Sequence, residues 1–517
     1  MKGFLLIAIC CFSAFYSLGQ QNLLPLHSFY KDQLFSNKLS KPYNEGSFFP
    51  TSEGDYDLIP AILDSTPRYY TVTDILYRKH LIEITSKDCY ITISPAANIS
   101  SGRDFTDTSE RRLMQNTRGV FVEGDLFKKF SFATSFYENQ ARFTPYEDNY
   151  YSSVGERYQN SAGEYYAQNA VIPGAGRTKD FKGDGFDYAF AVGYFTYAPI
   201  KQLRISAGNN PQFIGDGHRS ILLSDNSFAA PYLRLDWKIN SKFNFTYYRS
   251  RLINLLRRRL SSSAEVYYET KGHSVNYFTY KPTEKMSISL FEGSIWNRGD
   301  SLTSTTSHPL YFNPVPFISS LILDGENEVV SLLGINANYQ LGDKHRVYGQ
   351  LAMNDWNTSK IGYQLGYRGY NFFGLSDFMF QLEFNHVPAK MYEVSNPRLN
   401  YSHNNLPLAH SKGSGFREMI LRANYEYNHW FFDVKSVFYI LNDYSQDAHL
   451  ALYESEPTID GAIFYQAVEL GYRFNRKMNL SIFGRWRWRT TSEAGIPIAN
   501  TIQIGMRTGL TNHYNDF

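Results

Sequence analysis

Cysteine is nearly absent from this 517-residue chain: Cys10, Cys11 and Cys89 are all it has. The first two fall in a leader-like segment, so a mature chain keeps one thiol, which excludes an internal disulfide and a cysteine metal cluster. Charge of one sign is lacking too. The 51 Lys and Arg against 49 Asp and Glu give a formal net charge of +2, without the dominant basic surface that a nucleic-acid partner requires. Beyond the leader, no stretch has the ~20 uninterrupted apolar residues of a transmembrane helix. A helical membrane protein is thereby excluded.

The apolar run that does occur, Phe4 to Tyr16, follows Lys2 and leads into Ser17-Leu18-Gly19. That is the pattern of a signal peptide over 1–19, with cleavage before Gln20. Ile9 occupies the position where a small residue precedes a lipid-modified cysteine, which argues against lipidation.

What the chain has in quantity is alternation. From Leu333 to Leu341 the odd positions are Leu333, Ile335, Ala337, Tyr339 and Leu341, and the even ones Gly334, Asn336, Asn338 and Gln340. Successive side chains of a strand point to opposite faces, so such a segment has one apolar wall and one polar wall. Trp430, Phe432, Val434, Phe438 and Ile440 oppose Asp433, Lys435 and Tyr439 in the same way. Leu480, Ile482, Trp486 and Trp488 oppose Ser481, Arg485, Arg487 and Arg489. A soluble sandwich alternates as well, but connection length separates the two folds.

Candidate strands begin at 90–97, 117–126 and 130–141, end at 463–474, 480–490 and 501–510, and number about eighteen, an even count as in single-chain bacterial barrels. Short connections such as Asn240-Ser241-Lys242, Gly342-Asp343-Lys344, Asn428-His429 and Asn475-Arg476-Lys477 carry turn residues and are assigned to the periplasm. Long ones at 143–186, 209–231, 252–270, 296–328, 388–416 and 442–462 are assigned to the cell surface, some folding back into the lumen. The expected fold is all-β: a transmembrane antiparallel β-barrel over 90–517, preceded by a small, partly helical periplasmic region over 20–89. Helix-like spacing of Val72, Ile75, Leu76 and His80 with Leu81, after Asp64-Ser65-Thr66-Pro67, supports the helical part. Both termini are then periplasmic. Aromatic residues make up 17% of the chain, which suits interfacial girdles. The terminal Phe517, following a strand with Ile502, Ile504 and Met506, suits recognition by the outer-membrane insertion machinery.

Two stretches carry a resemblance. Val171-Ile172-Pro173-Gly174 through Phe186-Asp187-Tyr188-Ala189 to Gly193-Tyr194 is one. Gly208-Asn209-Asn210 with the run from Phe213 through Gly215-Asp216-Gly217-His218-Arg219-Ser220 to Ser224-Asp225-Asn226 is the other. Together with Leu24-Pro25-Leu26, Phe29-Tyr30-Lys31-Asp32 and the closing Tyr514 to Phe517, they resemble the Wzi-like capsule-assembly family of Bacteroidetes, including its gliding-motility-associated, RemB-like members. The resemblance implies an eighteen-stranded outer-membrane barrel with a periplasmic helical part. For enterobacterial relatives it implies a surface lectin that retains capsular polysaccharide, although no sugar-binding residue can be carried over by position.

The second stretch admits two readings on its own chemistry. Its glycines permit backbone shapes closed to other residues, and its Asn, Asp and Ser side chains can bond their own main chain, as in a self-satisfied loop packed inside the barrel. Alternatively, Asn209, Asn210, Asp216, His218, Arg219, Ser224, Asp225 and Asn226 form a polar floor for glycan hydroxyls. The twelve-residue calcium-loop signature is missing, so no metal is expected. Arg257-Arg258-Arg259 is either a solvated cluster facing lipopolysaccharide or a site for acidic polysaccharide, for which guanidinium groups are suited. The Arg485, Arg487, Arg489 ladder should face the lumen, where Glu383, Glu426, Asp433 and Glu469 can balance it.

No catalytic constellation is present: His218, Ser220 and Asp225 are neighbours in sequence, which is not triad geometry. No enzyme activity and no cofactor are expected. Three functions remain. The first is a surface polysaccharide-retaining barrel serving capsule, adhesion or gliding, with rings such as Tyr311, Phe312 and Tyr392 to stack on sugars. The second is a diffusion porin. The third is a docking component for other envelope proteins, with 20–89 as the docking element. The partners expected are outer-membrane lipid, a surface polysaccharide and other envelope proteins, and not nucleic acid.

Overall fold

The computed structural model describes residues 22–40, 46–52, 70–127, 129–160, 162–257, 268–298, 313–322, 329–445, 449–452, 458–492, 496–509 and 511–517. The expected signal peptide over 1–19, with Cys10 and Cys11, the 64–67 stretch, Arg258, Arg259, Tyr311 and Phe312 lie outside them.

Eighteen antiparallel strands close into one barrel. They are β1 (Cys89–Asp104), β2 (Arg112–Leu126), β3 (Phe130–Arg142), β4 (Gly185–Ile200), β5 (Leu203–Asn209) and β6 (Pro231–Lys238). Then follow β7 (Phe243–Asn254), β8 (Glu269–Thr283), β9 (Met286–Asn297), β10 (Val329–Gln340), β11 (His345–Asn354) and β12 (Ile361–Tyr370). The last six are β13 (Phe378–Val387), β14 (Phe416–Tyr427), β15 (Trp430–Tyr444), β16 (Ile459–Asn475), β17 (Leu480–Thr491) and β18 (Ala499–Thr508). Each strand pairs with its sequence neighbours, and β18 returns to β1 through Thr501↔Asp104 to Arg507↔Asn98. No sheet edge is left open in the wall, and every backbone group there can be satisfied without water.

Alternation sets which way each residue points. On β10, Ile335 is 40% exposed on the outside, while Asn336 is 1% exposed on the inside. On β13, Leu382 faces out and Gln381, Glu383 and Asn385 are buried within. The outer surface is a band of Ile, Leu, Phe and Met, with Trp237, Tyr339, Tyr427 and Trp430 exposed near the short-turn end, as an interfacial girdle requires. Among the described residues no helix is long and apolar enough to cross a membrane.

Side chains alone do not fill an eighteen-stranded lumen, and chain from several places enters to fill it. Helix α1 (Ser28–Ser40) enters at the short-turn end, where Tyr30 donates its hydroxyl to the Lys477 carbonyl at 2.8 Å. Asp32 on α1 meets Arg422 of the wall at 2.9 Å. Phe48 and Phe49 pair with Ile214 and Phe213 of the β5–β6 connection. The β13–β14 connection and the C-terminal tail complete the plug. A large apolar cluster therefore lies inside the barrel, where Phe48, Ile214, Ile221 and Leu222 pack on Tyr248, Val275, Tyr277, Phe291, Ile420 and Tyr439.

Three expectations are revised by this arrangement. The 20–89 region is not one cap: residues 22–40 and 46–52 lie in the lumen, because Lys31 and Asp32 find partners there and Leu34, Phe35 and Phe49 find an apolar pocket. Among the described residues of this region, α2 (Thr71–Tyr77) and the strand Ile82–Thr85 stand at the short-turn rim, tied to the wall by Asn475, which donates to the carbonyls of Ile75 and Lys79. Nor does the C-terminus stop at the short-turn end. After β18 the tail turns back through the lumen, and Phe517 is buried against Tyr146, Tyr150 and Tyr151 of α3 (Pro145–Ser153), near the long-connection end. It is thus a plug residue and not the last residue of a strand. Tyr392, expected on an outer loop, is likewise buried, its ring stacked on Tyr401 and its hydroxyl donating to the Ile221 carbonyl at 2.9 Å.

Candidate functional site

The Gly215-Asp216-Gly217-His218-Arg219-Ser220 stretch is held in the lumen by wall residues on the six consecutive strands β10 to β15. Gly215, at φ +125°, turns the chain, and a side chain there would collide with Gln350 of β11. Asp216 accepts hydrogen bonds from Ser47 (2.7 Å), Asn338 of β10 (2.9 Å) and Arg346 of β11 (3.1 Å). Gly217 allows the backbone close enough to β13 for the next two N–H groups, of His218 and Arg219, to donate to the Glu383 carboxylate at 2.7 and 3.0 Å. The Arg219 guanidinium then reaches Glu418 of β14 (3.2 Å), Tyr439 of β15 (3.1 Å) and Asp516 of the tail (2.7 Å). Asp516 is also held by Lys435 at 2.7 Å. Burial alone would raise the Asp516 carboxyl, but Arg219 and Lys435 hold it well below the ordinary carboxylate range.

The rest of the stretch is equally occupied. Ser224 donates to the Ala409 carbonyl, Asn226 to that of Pro407, and Asp225 accepts from Tyr514 (2.6 Å) and Asn512 (2.9 Å). Asn209 donates to the Ala191 carbonyl, and the Asn210 carbonyl accepts from Gln212. The His218 pKa is pushed well down by burial and by Arg422 and Arg219. The structure therefore brings six of the eight residues into the plug or its edge as side-chain bonding partners of the chain itself, and Asn210 and His218 join them through their backbones. These bonds hold the stretch as a loop packed inside the barrel, in which Asn209 Oδ1, His218 Nε2 and Arg219 Nη1 are buried without a hydrogen-bond partner.

The arginine ladder is an ion network of the same kind. Arg485 and Arg507 share Glu469, as anticipated for that acid. Arg487 instead pairs at 2.9 Å with Glu147 on α3, and Arg489 donates to the Phe517 carbonyl. Glu147 is in place because α3 begins with a capping box, the carboxylate accepting from the Thr144 N–H and hydroxyl, with Pro145 opening the helix. Glu426 binds Arg473 and Arg476, and Asp433 accepts from Asn424. Sequence reasoning missed Glu147, Asp516 and Glu418. Inward parity was the available signal for Glu418 alone.

Beside the tail a cavity of about 260 Å³ remains, extending from Asn479 and Thr508 at the short-turn end to Arg142 and Glu147 at the other. Its lining cations are met by carboxylates, as in Arg422 with Asp32 and Arg485 with Glu469.

A second arrangement lies at the long-connection end, where Arg257 was singled out. Leu256–Arg257 adds to a small sheet with Arg157–Gln159 and Tyr165–Ala167. Glu156, fully enclosed, faces two guanidinium groups, Arg257 at 2.5 Å and Arg177 at 3.2 Å. Tyr268 donates to the same carboxylate at 2.7 Å, and both arginines lie over its ring, 4.7 and 5.1 Å from the centroid. Burial tends to raise Glu156, yet hydrogen bonds from Asn169 and Tyr268 and the two arginines hold it below its usual value. One carboxylate against two partly exposed guanidinium groups leaves one positive charge, with Tyr158 and Tyr166 on the adjoining sheet.

No protein-family model matches the chain, and no curated protein matches it. Solved structures do. Wzi, described as an outer-membrane protein of Escherichia coli involved in group 1 capsule assembly and a carbohydrate-binding β-barrel, matches with a TM-score of 0.55 at 11% identity, covering 95% of this chain and 100% of that one. OccAB2 of Acinetobacter baumannii matches with a TM-score of 0.41 at 9% identity, covering 80% and 96%. OpdQ of Pseudomonas aeruginosa gives 0.42 at 9%, covering 81% and 96%. At such identities the likeness is one of fold, and the fold is the closed eighteen-stranded barrel of outer-membrane proteins.

Proposed function

We propose that this barrel retains an acidic polysaccharide at the cell surface, as a Wzi-like protein of the Bacteroidetes kind, and serves capsule attachment with adhesion or gliding as its outcome. It acts as a holder, not as an enzyme. The observation that carries this reading is the charged and aromatic surface at the long-connection end, above a lumen occupied by α1, two connections and the tail. There the Arg257–Arg177–Tyr268 cluster offers what an acidic sugar needs. Guanidinium groups bind carboxylates through paired hydrogen bonds, and flat rings take sugar faces. The Wzi fold likeness and the sequence resemblance favour the same reading.

The test is a glycan array of neutral and uronic-acid-containing fragments probed with the purified barrel, alongside capsule retention and surface spreading in a deletion strain. Binding that prefers acidic fragments and falls in Arg257→Ala and Arg177→Ala is expected. Normal capsule and normal spreading in the deletion strain would overturn the proposal.

A diffusion porin is the second reading, favoured by the axial cavity of about 260 Å³. Single-channel recordings in planar bilayers separate the two. A silent barrel removes this reading, and steady large conductance replaces the first with it.

A further inference from the structure

At the short-turn end, α2 and the strand Ile82–Thr85 expose an apolar surface that the barrel does not cover. Tyr70, Val72, Leu81, Ile82, Ile84 and nearby Phe127 are all exposed, Val72 to 77% and Ile84 to 50%, against 63% for Leu365 in the middle of the lipid-facing wall. A soluble periplasmic element would be expected to keep such a patch small.

Its position says what it meets. β18 pairs with β1 only from Asn98 upward; below that, Ile82–Thr85 takes its place, pairing Ile82↔Ile93 and Ile84↔Ile91. Directly opposed residues share a face, so Ile82 and Ile84 lie with Ile91 and Ile93. That face is the outer one, because Thr92 and Ser94, of the other parity, are buried inside. The hairpin therefore prolongs the outer surface of the barrel past the last residues of β18. Helix α2 leans on the same side. Tyr77 packs edge-on against His429 (5.5 Å) and Phe474 (5.8 Å), and Phe474 touches Tyr472, which stacks with His429 and meets the girdle residue Trp430. The polar side of α2 is electrically settled: Asp74 is buried between Arg78 (2.7 Å) and Lys79 (3.0 Å), leaving one positive charge beside the apolar residues.

We propose that residues 70–85 form a membrane foot, an interfacial element lying in the headgroup region of the phospholipid leaflet at the short-turn end. Val72, Ile82 and Ile84 enter the acyl boundary while Arg78 and Lys79 face phosphates, the arrangement by which short amphipathic elements lie in an interface. The occupant of the patch is lipid, because the patch is continuous with the lipid-facing band and carries the girdle's chemistry. The foot stands independently of which polymer, if any, the far end holds.

Spin labelling tests it on the full-length protein in phosphatidylethanolamine–phosphatidylglycerol vesicles. Nitroxides are placed by Val72→Cys and Ile84→Cys in a Cys89→Ser background, with Leu365→Cys as the lipid reference and Lys87→Cys, at the hairpin tip, as the aqueous one. Heat-dependent gel mobility checks that each barrel is folded. Greater collision with oxygen than with a water-soluble nickel chelate at positions 72 and 84, reversed at 87, is expected. Nickel prevailing at 72 and 84 puts the patch in water and overturns the proposal. Protection from both reagents means protein covers it, a second copy or a partner, and overturns it equally.

Discussion

On the outside of β13, Phe380 and Leu382 meet hydrocarbon, which has no donors or acceptors to align, so any apolar residue of similar bulk serves. On the inside of the same strand, Gln381, Glu383 and Asn385 each bond to particular groups: Gln381 to Tyr348, Glu383 to the His218 and Arg219 backbone, Asn385 to Glu418. The outer face is specified by residue class and the inner face by residue identity. A barrel of this kind is tolerant towards lipid and exacting towards its own plug, because a buried polar group that loses its partner keeps its desolvation cost.

That contrast can be broken most sharply at Arg219. Arg219→Ala leaves Glu418 and Asp516 short of a buried counter-charge and should lower stability by about 3–5 kcal/mol, read as a fall in the urea midpoint of detergent-solubilised protein. Placing a charge on the tolerant face is the next test: Leu365→Arg, mid-strand and lipid-facing, should cost about 2–4 kcal/mol in vesicles. If it proves neutral, the outer face does not meet hydrocarbon at that depth. On a smaller scale, Asn338→Ala removes a donor to Asp216 and should cost about 1–3 kcal/mol, whereas Ile335→Val, three residues away on the outer face, should change the midpoint by less than about 0.5 kcal/mol.

Acid should act on the inner face and the rim, and not on the lipid-facing band. The Asp516 carboxyl is depressed in the fold, so its stabilising contribution is complete above its unfolded value of about 4 and is lost as pH falls through the folded value. The urea midpoint should therefore decline as pH is lowered from about 5 towards 2, and Asp516→Asn should flatten part of that decline. A milder effect than at Arg219 belongs to the rim cluster: Arg257→Ala, which leaves Arg177 and Tyr268 on Glu156, should cost about 1 kcal/mol while reducing acidic-glycan binding. A large loss of stability there would make the cluster structural, like the plug.

Much of the wall was legible because strand alternation is a local property. Ile335 and Asn336 declare their opposite faces without reference to anything distant, and the unequal connections separate the two ends of the barrel. The plug was legible only as an anomaly, a run of Gly, Asp, Arg and Ser that strand propensity does not explain. Arg219 meets Asp516 across 297 positions and Arg487 meets Glu147 across 340, and no periodicity encodes such pairings. For the same reason the sequence could place neither α1 nor Phe517, whose composition suits a periplasmic arm or a terminal strand as well as a lumen. Tyr392 shows the converse error, since an aromatic residue in a long connection reads as surface until the connection is seen to fold inward. Of the functional candidates, Arg257 was found by its charge, but its partners Glu156, Arg177 and Tyr268 come from three other stretches of chain.

By itself, then, the sequence determined a closed eighteen-stranded wall with a hydrocarbon-facing band, because each residue's side follows from its parity and its polarity. Only the tertiary structure decided that the lumen is filled, and by which segments, because burying Asp216, Arg219, Glu383 and Asp516 is tolerable only when all are placed against one another. Their charges and hydrogen bonds are balanced as a set in three dimensions, and no single stretch of chain contains that set.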